Sequence, residues 1–138
     1  MIAYLDASAV LRIVLGEPGA LGGWQDFDTA IASALTEVEC LRTLDRLARH
    51  QVLSVEELSE RRAALLRLLE AVELIDISRP VLRRAAEPFP TPLGTLDAIH
   101  LATALAWRDA NGAAPALATH DRELAMAARS VGLDVLGA

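Results

Sequence analysis

Met1-Ile2-Ala3-Tyr4-Leu5-Asp6-Ala7-Ser8-Ala9-Val10 opens the chain, and the change of pattern inside this stretch decides the fold. Residues 2–5 read as a short buried strand that Asp6 closes. An apolar helix follows through about Leu15, and Gly16-Glu17-Pro18-Gly19 breaks it. The same alternation recurs outward from there. Asp28 to Ser33 reads as a second strand, and Thr36 opens a helix with Leu41, Leu44 and Leu47 on one face, ending near His50. Glu73 to Ile77 is a third strand, with a short helix from Ser78 and Pro80 to about Glu87. Residues 116–119 form a fourth strand, 122–130 a helix, and 133–136 a final strand.

Between these units lie the remaining helices. A short one is expected from Ala20 to Gln25. Ser54-Val55-Glu56-Glu57 has the S/T-x-x-E form of a capping box and starts a helix over Leu58 to Ala71. Pro88, Pro90 and Pro92 forbid helix through their connection, and Thr95 to about Asp109 is helical. Strands alternating with helices imply α/β architecture: one domain over 1–138, with a mainly parallel sheet of about five strands between two helical layers.

Composition narrows the chemistry. Hydrophobic residues make up 53% of the 138, enough to build a core, whereas only 4% are aromatic, so stacking platforms for bases are scarce. Cys40 is the single cysteine, which excludes an internal disulfide and any multi-cysteine metal cluster. Neither a leader nor a membrane-length apolar run is visible, so a soluble, cytoplasmic protein is expected. All 13 basic residues are Arg, against 19 acidic ones, for a net charge of −6. Without Lys there is no P-loop phosphate clamp and no Schiff base. An acidic chain also lacks a broad electrostatic footprint for nucleic acid, so a polyanionic substrate would need local Arg clusters and metal.

Four acidic residues stand where a chain leaving a strand would deliver them: Asp6, Glu39, Asp97 and Asp121. In open α/β sheets, ligands gather outside the carboxyl ends of the strands. Carboxylates gathered there repel one another unless a divalent cation lies among them, so the pattern points to Mg²⁺ or Mn²⁺. Each acid also has a plainer reading. Asp6 and Asp121 are good N-caps, and Asp97 complements a helix N-terminus. Thr36-Glu37-Val38-Glu39 is itself a capping-box pattern, in which Glu39 folds back to the Thr36 amide. Glu37 lies about 200° around the helix from Glu39 and cannot face the same cleft. Coincident caps need not converge; a site requires that they do.

The words around each acid then resemble a family. Tyr4-Leu5-Asp6-Ala7-Ser8 is similar to the opening D-x-S of PIN domains, specifically the VapC-type toxin ribonucleases. Ser33-Ala34-Leu35-Thr36-Glu37-Val38-Glu39 resembles their S-x-L-T-x-x-E segment, which selects Glu39. Leu96-Asp97-Ala98-Ile99-His100-Leu101-Ala102 resembles their LDAIHLA-type helix, and Thr119-His120-Asp121 their terminal T-x-D. The resemblance implies a metal-dependent endoribonuclease, the toxin of a toxin–antitoxin pair, partnered by a VapB-type antitoxin and commonly dimeric. It implies an acidic site of Asp6, Glu39, Asp97 and Asp121, with Ser8 and Thr119 supporting the metal or its water. Asp6 and Asp97 are the expected direct ligands, with Glu39 and Asp121 binding water or a second ion.

Arg42, Arg46 and Arg49 follow Glu39 along its helix. They read either as a phosphate rail leading RNA to the acids or as a solvated face pairing with Asp45. His100 has the pattern of a structural histidine close to Asp97, and none of His50, His100 and His120 is assigned a catalytic role. The leucine-rich helix after Ser54 suits burial on two sides, or a groove for an antitoxin helix or a second copy. Two other functions compete. A phospho-aspartyl phosphatase would want D-x-D-x-T, but Ser8 holds the second acidic place and Lys is absent. A non-catalytic RNA-binding or scaffold module fits the fold, although the acidic set is intact.

Overall fold

The computed structural model describes residues 1–137. Five parallel strands lie in the order β3-β2-β1-β4-β5: β1 Ile2–Leu5, β2 Thr29–Ser33, β3 Glu73–Ile75, β4 Ala116–Ala118 and β5 Val135–Leu136. The expected α/β architecture with a five-stranded parallel sheet is what forms. β1 is central, flanked by β2 in the register Tyr4–Ile31 and by β4 in the register Tyr4–Leu117. The connection leaving β1 goes to β2, and β4 adds on the opposite side. The crevice between the carboxyl ends of β1 and β4 is therefore the topological switch point, where doubly wound sheets take ligands.

Side chains alternate across the sheet and separate two cores. Ala3, Leu5, Ala32 and Ala118 face one layer: α1 Ala7–Leu15, α2 Ala34–Arg49 and α3 Val55–Glu70. Tyr4, Ile31 and Leu117 face the other, built from α5 Thr95–Asn111 and α6 Arg122–Ser130. A short α4, Arg79–Ala85, packs on α5. The layers are the ones alternation predicts, because the central strands β1, β2 and β4 are buried on both faces.

Several boundaries differ from the expected ones, and two of the differences have a plain local cause. The expected helix from Ala20 to Gln25 is only a 3₁₀ turn, Trp24–Asp26. Gly22 and Gly23 oppose helix there, and Gly23 takes a left-handed conformation at φ 68°. α2 begins two residues before Thr36, because Ser33 caps it by accepting from the Leu35 amide. The edge strands β3 and β5 are shorter than expected, stopping before Asp76 and starting after Asp134. The Ser54–Glu57 capping box forms in both directions, at 3.1 Å each. Trp24 is buried in the α1–α3 core, and Trp107 is partly buried against the α5–α6 core. Among the described residues, no helix is long and apolar enough to cross a membrane.

Candidate active site

Asp6 is the first residue beyond β1, and its amide still bonds the Ala118 carbonyl of β4 at 3.1 Å. Its side chain does two things at once. Oδ1 caps α1 by accepting from the Ala9 amide at 2.8 Å, so the capping reading holds. The same carboxylate also sits in a net of hydroxyls across the switch point. Thr119 Oγ1 donates to Oδ2 at 2.5 Å, and Ser8 Oγ lies 2.8 and 3.0 Å from the two oxygens. Ser8 in turn accepts from the His120 amide at 2.9 Å, and Thr119 Oγ1 accepts from the Asp121 amide at 3.0 Å. Ser8 and Thr119 thus fasten the start of α1 to the end of β4. Asp6 is 4% exposed, and burial raises its pKa against the opposing pull of Thr119, Ala9 and Ser8.

Asp121 caps α6 through the Leu124 amide at 3.0 Å. Asp97 lies in the first turn of α5, whose N-cap, Gly94, offers no side-chain bond. The charge of Asp97 is felt within a group: its pKa is pushed up to about 6, first by burial, then by Asp121, Asp6 and Glu39, while His100 opposes the rise. Asp121, Asp6 and Glu39 thus lie near enough to act on Asp97 in the same direction as burial.

Glu39 does not fold back on Thr36. With Ser33 as the cap, Glu39 lies past the first turn of α2 and reaches across to α5, where Oε1 is 2.5 Å from His100 Nε2. That contact excludes the capping-box reading of Glu39. His100 is 1% exposed, and its Nδ1 lies 2.7 Å from the Tyr4 hydroxyl. Tyr4 is fully buried, and burial followed by the Asp6 charge raises its pKa, so the phenol stays protonated. The sequence marks His100 as a structural histidine, and burial agrees. Its bond to Glu39 was not visible, although the spacing Asp97-x-x-His100 was the available signal. His120 turns away, as strand alternation requires: Nδ1 lies 2.9 Å from the Gly137 carbonyl. Cys40 is buried beside the Ala7 carbonyl, and burial pushes its thiol up to about 12, leaving it inert.

The arginines of α2 are exposed. Arg42 and Arg49 both reach Asp45, at 3.4 and 3.0 Å, and Arg46 reaches the Thr43 hydroxyl at 3.3 Å.

Whether this donor set fits a divalent cation can be judged from the residues themselves. Among the described residues, no three His, Cys, Asp or Glu side chains are gathered tightly enough to hold an ion on their own. Mg²⁺ does not ask for such a cage: it retains waters and takes one or two carboxylates plus substrate phosphate. The donors are hard oxygens, the negative charge is concentrated enough to raise Asp97, and the Thr36 hydroxyl is buried without a partner one turn before Cys40. The set fits.

Carboxylates at the switch point of a parallel sheet stand where doubly wound folds take ligands. The sequence profile of the PIN domain matches residues 3–130, and this chain belongs to the PIN-domain family. Ribonuclease VapC35 of Mycobacterium tuberculosis is 38% identical, over 96% of this chain and 94% of its own length. Ribonuclease VapC46 of the same species is 31% identical over 96% and 95%. Among solved structures, FitAB bound to an IR36 DNA fragment superposes with a TM-score of 0.70 at 17% identity, covering 99% of this chain and 94% of that one. A toxin–antitoxin complex from Klebsiella pneumoniae gives 0.65 at 17% identity, over 97% and 95%. At such identities the structures speak for the fold alone.

Proposed function

We propose that this protein is a divalent-metal-dependent endoribonuclease, the toxin of a toxin–antitoxin pair. The observation that carries the reading is the hydroxyl-braced Asp6 at the switch point, held by Thr119 and Ser8, with Asp121, Asp6 and Glu39 all adding to the raised pKa of Asp97. The kinship with VapC ribonucleases supports it. Asp6 and Asp97 would hold Mg²⁺ or Mn²⁺. When bound, the ion supplies Lewis-acid chemistry, making water a nucleophile at neutral pH and offsetting charge on the phosphoryl oxygens.

The chain's own groups do the rest. Thr119 and Ser8 fix both oxygens of Asp6, so the carboxylate need not reorganise when an ion or substrate arrives. Glu39 is held by His100 and would accept a proton from the attacking water. Asp121 orients water, its backbone pinned by Thr119. Arg42, Arg46 and Arg49 would guide the RNA backbone along α2, where their charge locally reverses the acidic balance. A VapB-type antitoxin is the regulatory partner, and the toxin works as a homodimer.

Purified protein incubated with mixed RNA is expected to cleave it only with Mg²⁺ or Mn²⁺. Asp6→Asn and Asp97→Asn should each lower the rate by at least about 10²–10³-fold, with far-UV circular dichroism unchanged. Metal-dependent cleavage that survives in both variants would overturn the assignment, and so would tight RNA binding without any cleavage by the wild type.

A further inference from the structure

Three of the four carboxylates belong to elements that meet in one buried chain of side chains. Tyr4 lies on β1 two residues before Asp6, His100 on α5 three residues after Asp97, and Glu39 on α2. The Tyr4 hydroxyl meets His100 Nδ1 at 2.7 Å, and His100 Nε2 meets Glu39 Oε1 at 2.5 Å. Both ring nitrogens are satisfied, the histidine is 1% exposed, and the Tyr4 and His100 rings pack edge to face at 5.9 Å.

We propose that His100 is a positioning residue, which donates from Nε2 to hold Glu39 against the cleft and whose ring Tyr4 fixes from the Nδ1 side. The chemistry fixes the direction of the chain. A carboxylate only accepts, so Nε2 carries a hydrogen and donates to Glu39, while the phenol, which can both donate and accept, satisfies Nδ1. The imidazole cannot flip without breaking a buried bond to Tyr4 and a part-buried one to Glu39, and Glu39 cannot take another rotamer without leaving Nε2–H unpaired. The strut also fixes the spacing of β1, α2 and α5, and with it the separation of Asp6, Glu39 and Asp97. Outer-shell partners of this kind change metal affinity or activity by about 10–100-fold when removed. This inference rests on the ribonuclease reading for its kinetic consequence, but its geometry does not.

The test has two arms. Long-range ¹⁵N–¹H spectra of the metal-free protein are expected to show a proton on His100 Nε2, shifted downfield by its bond to Glu39, and Glu39→Gln should move that proton upfield. An Nε2 that carries no proton, or a proton whose shift is unchanged in Glu39→Gln, overturns the proposal whether or not the protein cuts RNA. In the kinetic arm, His100→Leu should lower kcat about 10–100-fold with KM for RNA little changed. His100→Gln, whose amide N–H can take the place of Nε2–H, should recover most of it. His100→Leu added to Glu39→Gln should cost nothing further, because the histidine acts only through Glu39. A purely structural histidine would instead lower the melting temperature, leave kcat per folded molecule intact, and show no Gln rescue. If His100→Leu does not fold, Tyr4→Phe replaces it, with a kcat loss expected and an unchanged kcat counting against the strut. Wild type that fails to cleave RNA sinks the ribonuclease reading and leaves the spectroscopic arm standing.

Discussion

A carboxylate in the first turn of a helix is ordinarily stabilised by the positive helix end. Asp97 has that location, yet its pKa rises to about 6, so desolvation and three neighbouring anions outweigh the helix. The folded state therefore holds the Asp97 proton more tightly than the unfolded chain, whose carboxyl titrates near 3.8. Whatever stability this confers is complete below about pH 4, and it is lost as pH rises through 6. Above that, ionised Asp97 opposes folding. Asp97→Asn is accordingly expected to destroy cleavage and yet stabilise the metal-free protein at pH 8. A relief of about 1 kcal/mol would raise Tm by about 3–5 °C in a chain of this size. The gain should vanish at pH 4, and thermal melts at the two pH values in chelator decide the matter. A variant that melts lower than wild type at pH 8 would mean that Asp97 makes a stabilising contact instead.

At the scale of the element, α2 shows what sequence patterns reveal and what they leave out. The pattern over Thr36 to Glu39 fits a capping box and a catalytic motif equally well, because both place Glu at the same spacing. Ser33 decided between them: it closed β2 and capped the helix, which moved the N-terminus back and freed Glu39. No periodicity encodes that choice, since it depends on where the strand ends. The tie between Glu39 and His100 was equally hidden, being a contact between α2 and α5 at a sequence separation of 61. The Arg side of α2 was more legible, for Arg42 and Arg49 do pair with Asp45 as helical spacing suggests. Such exposed pairs contribute little to stability, so these arginines remain at liberty to meet phosphate. Asp45→Asn should leave Tm nearly unchanged and tighten RNA binding by releasing both guanidinium groups. Arg46→Ala should weaken binding and reduce the salt slope by about 0.7 per lost phosphate contact. Filter binding of a nuclease-dead Asp97→Asn background across a salt series measures both. Unchanged affinity and slope in the two variants would make this face a solvated surface only.

For the whole molecule, the class of fold was readable because strand and helix patterns alternate from Ile2 onward, and the central strands are apolar enough to be buried on both faces. The order β3-β2-β1-β4-β5 was not readable from periodicity; it follows from which side each crossover helix takes. That order matters for function, because it sets β1 beside β4 and so brings Asp6 to Thr119 across 113 residues. Asp6, Glu39, Asp97 and Asp121 come from the start of α1, from α2, from the first turn of α5 and from the start of α6. Asp121, Asp6 and Glu39 all raise the pKa of Asp97. A cation that binds the folded cleft and not the unfolded chain should therefore stabilise the whole fold, by about 2.7 kcal/mol at a hundred times its dissociation constant. In Tm that is roughly 8–13 °C. The stabilisation by Mn²⁺ should be large at pH 8 and small at pH 5, because Asp97 is mostly protonated below about 6 and a proton competes with the ion. Asp6→Asn should abolish the metal-induced shift at both pH values while keeping a cooperative melt. Differential scanning calorimetry with and without chelator resolves it, and an Mn²⁺ shift that is equal at pH 5 and pH 8, or intact in Asp6→Asn, would place the ion away from these carboxylates.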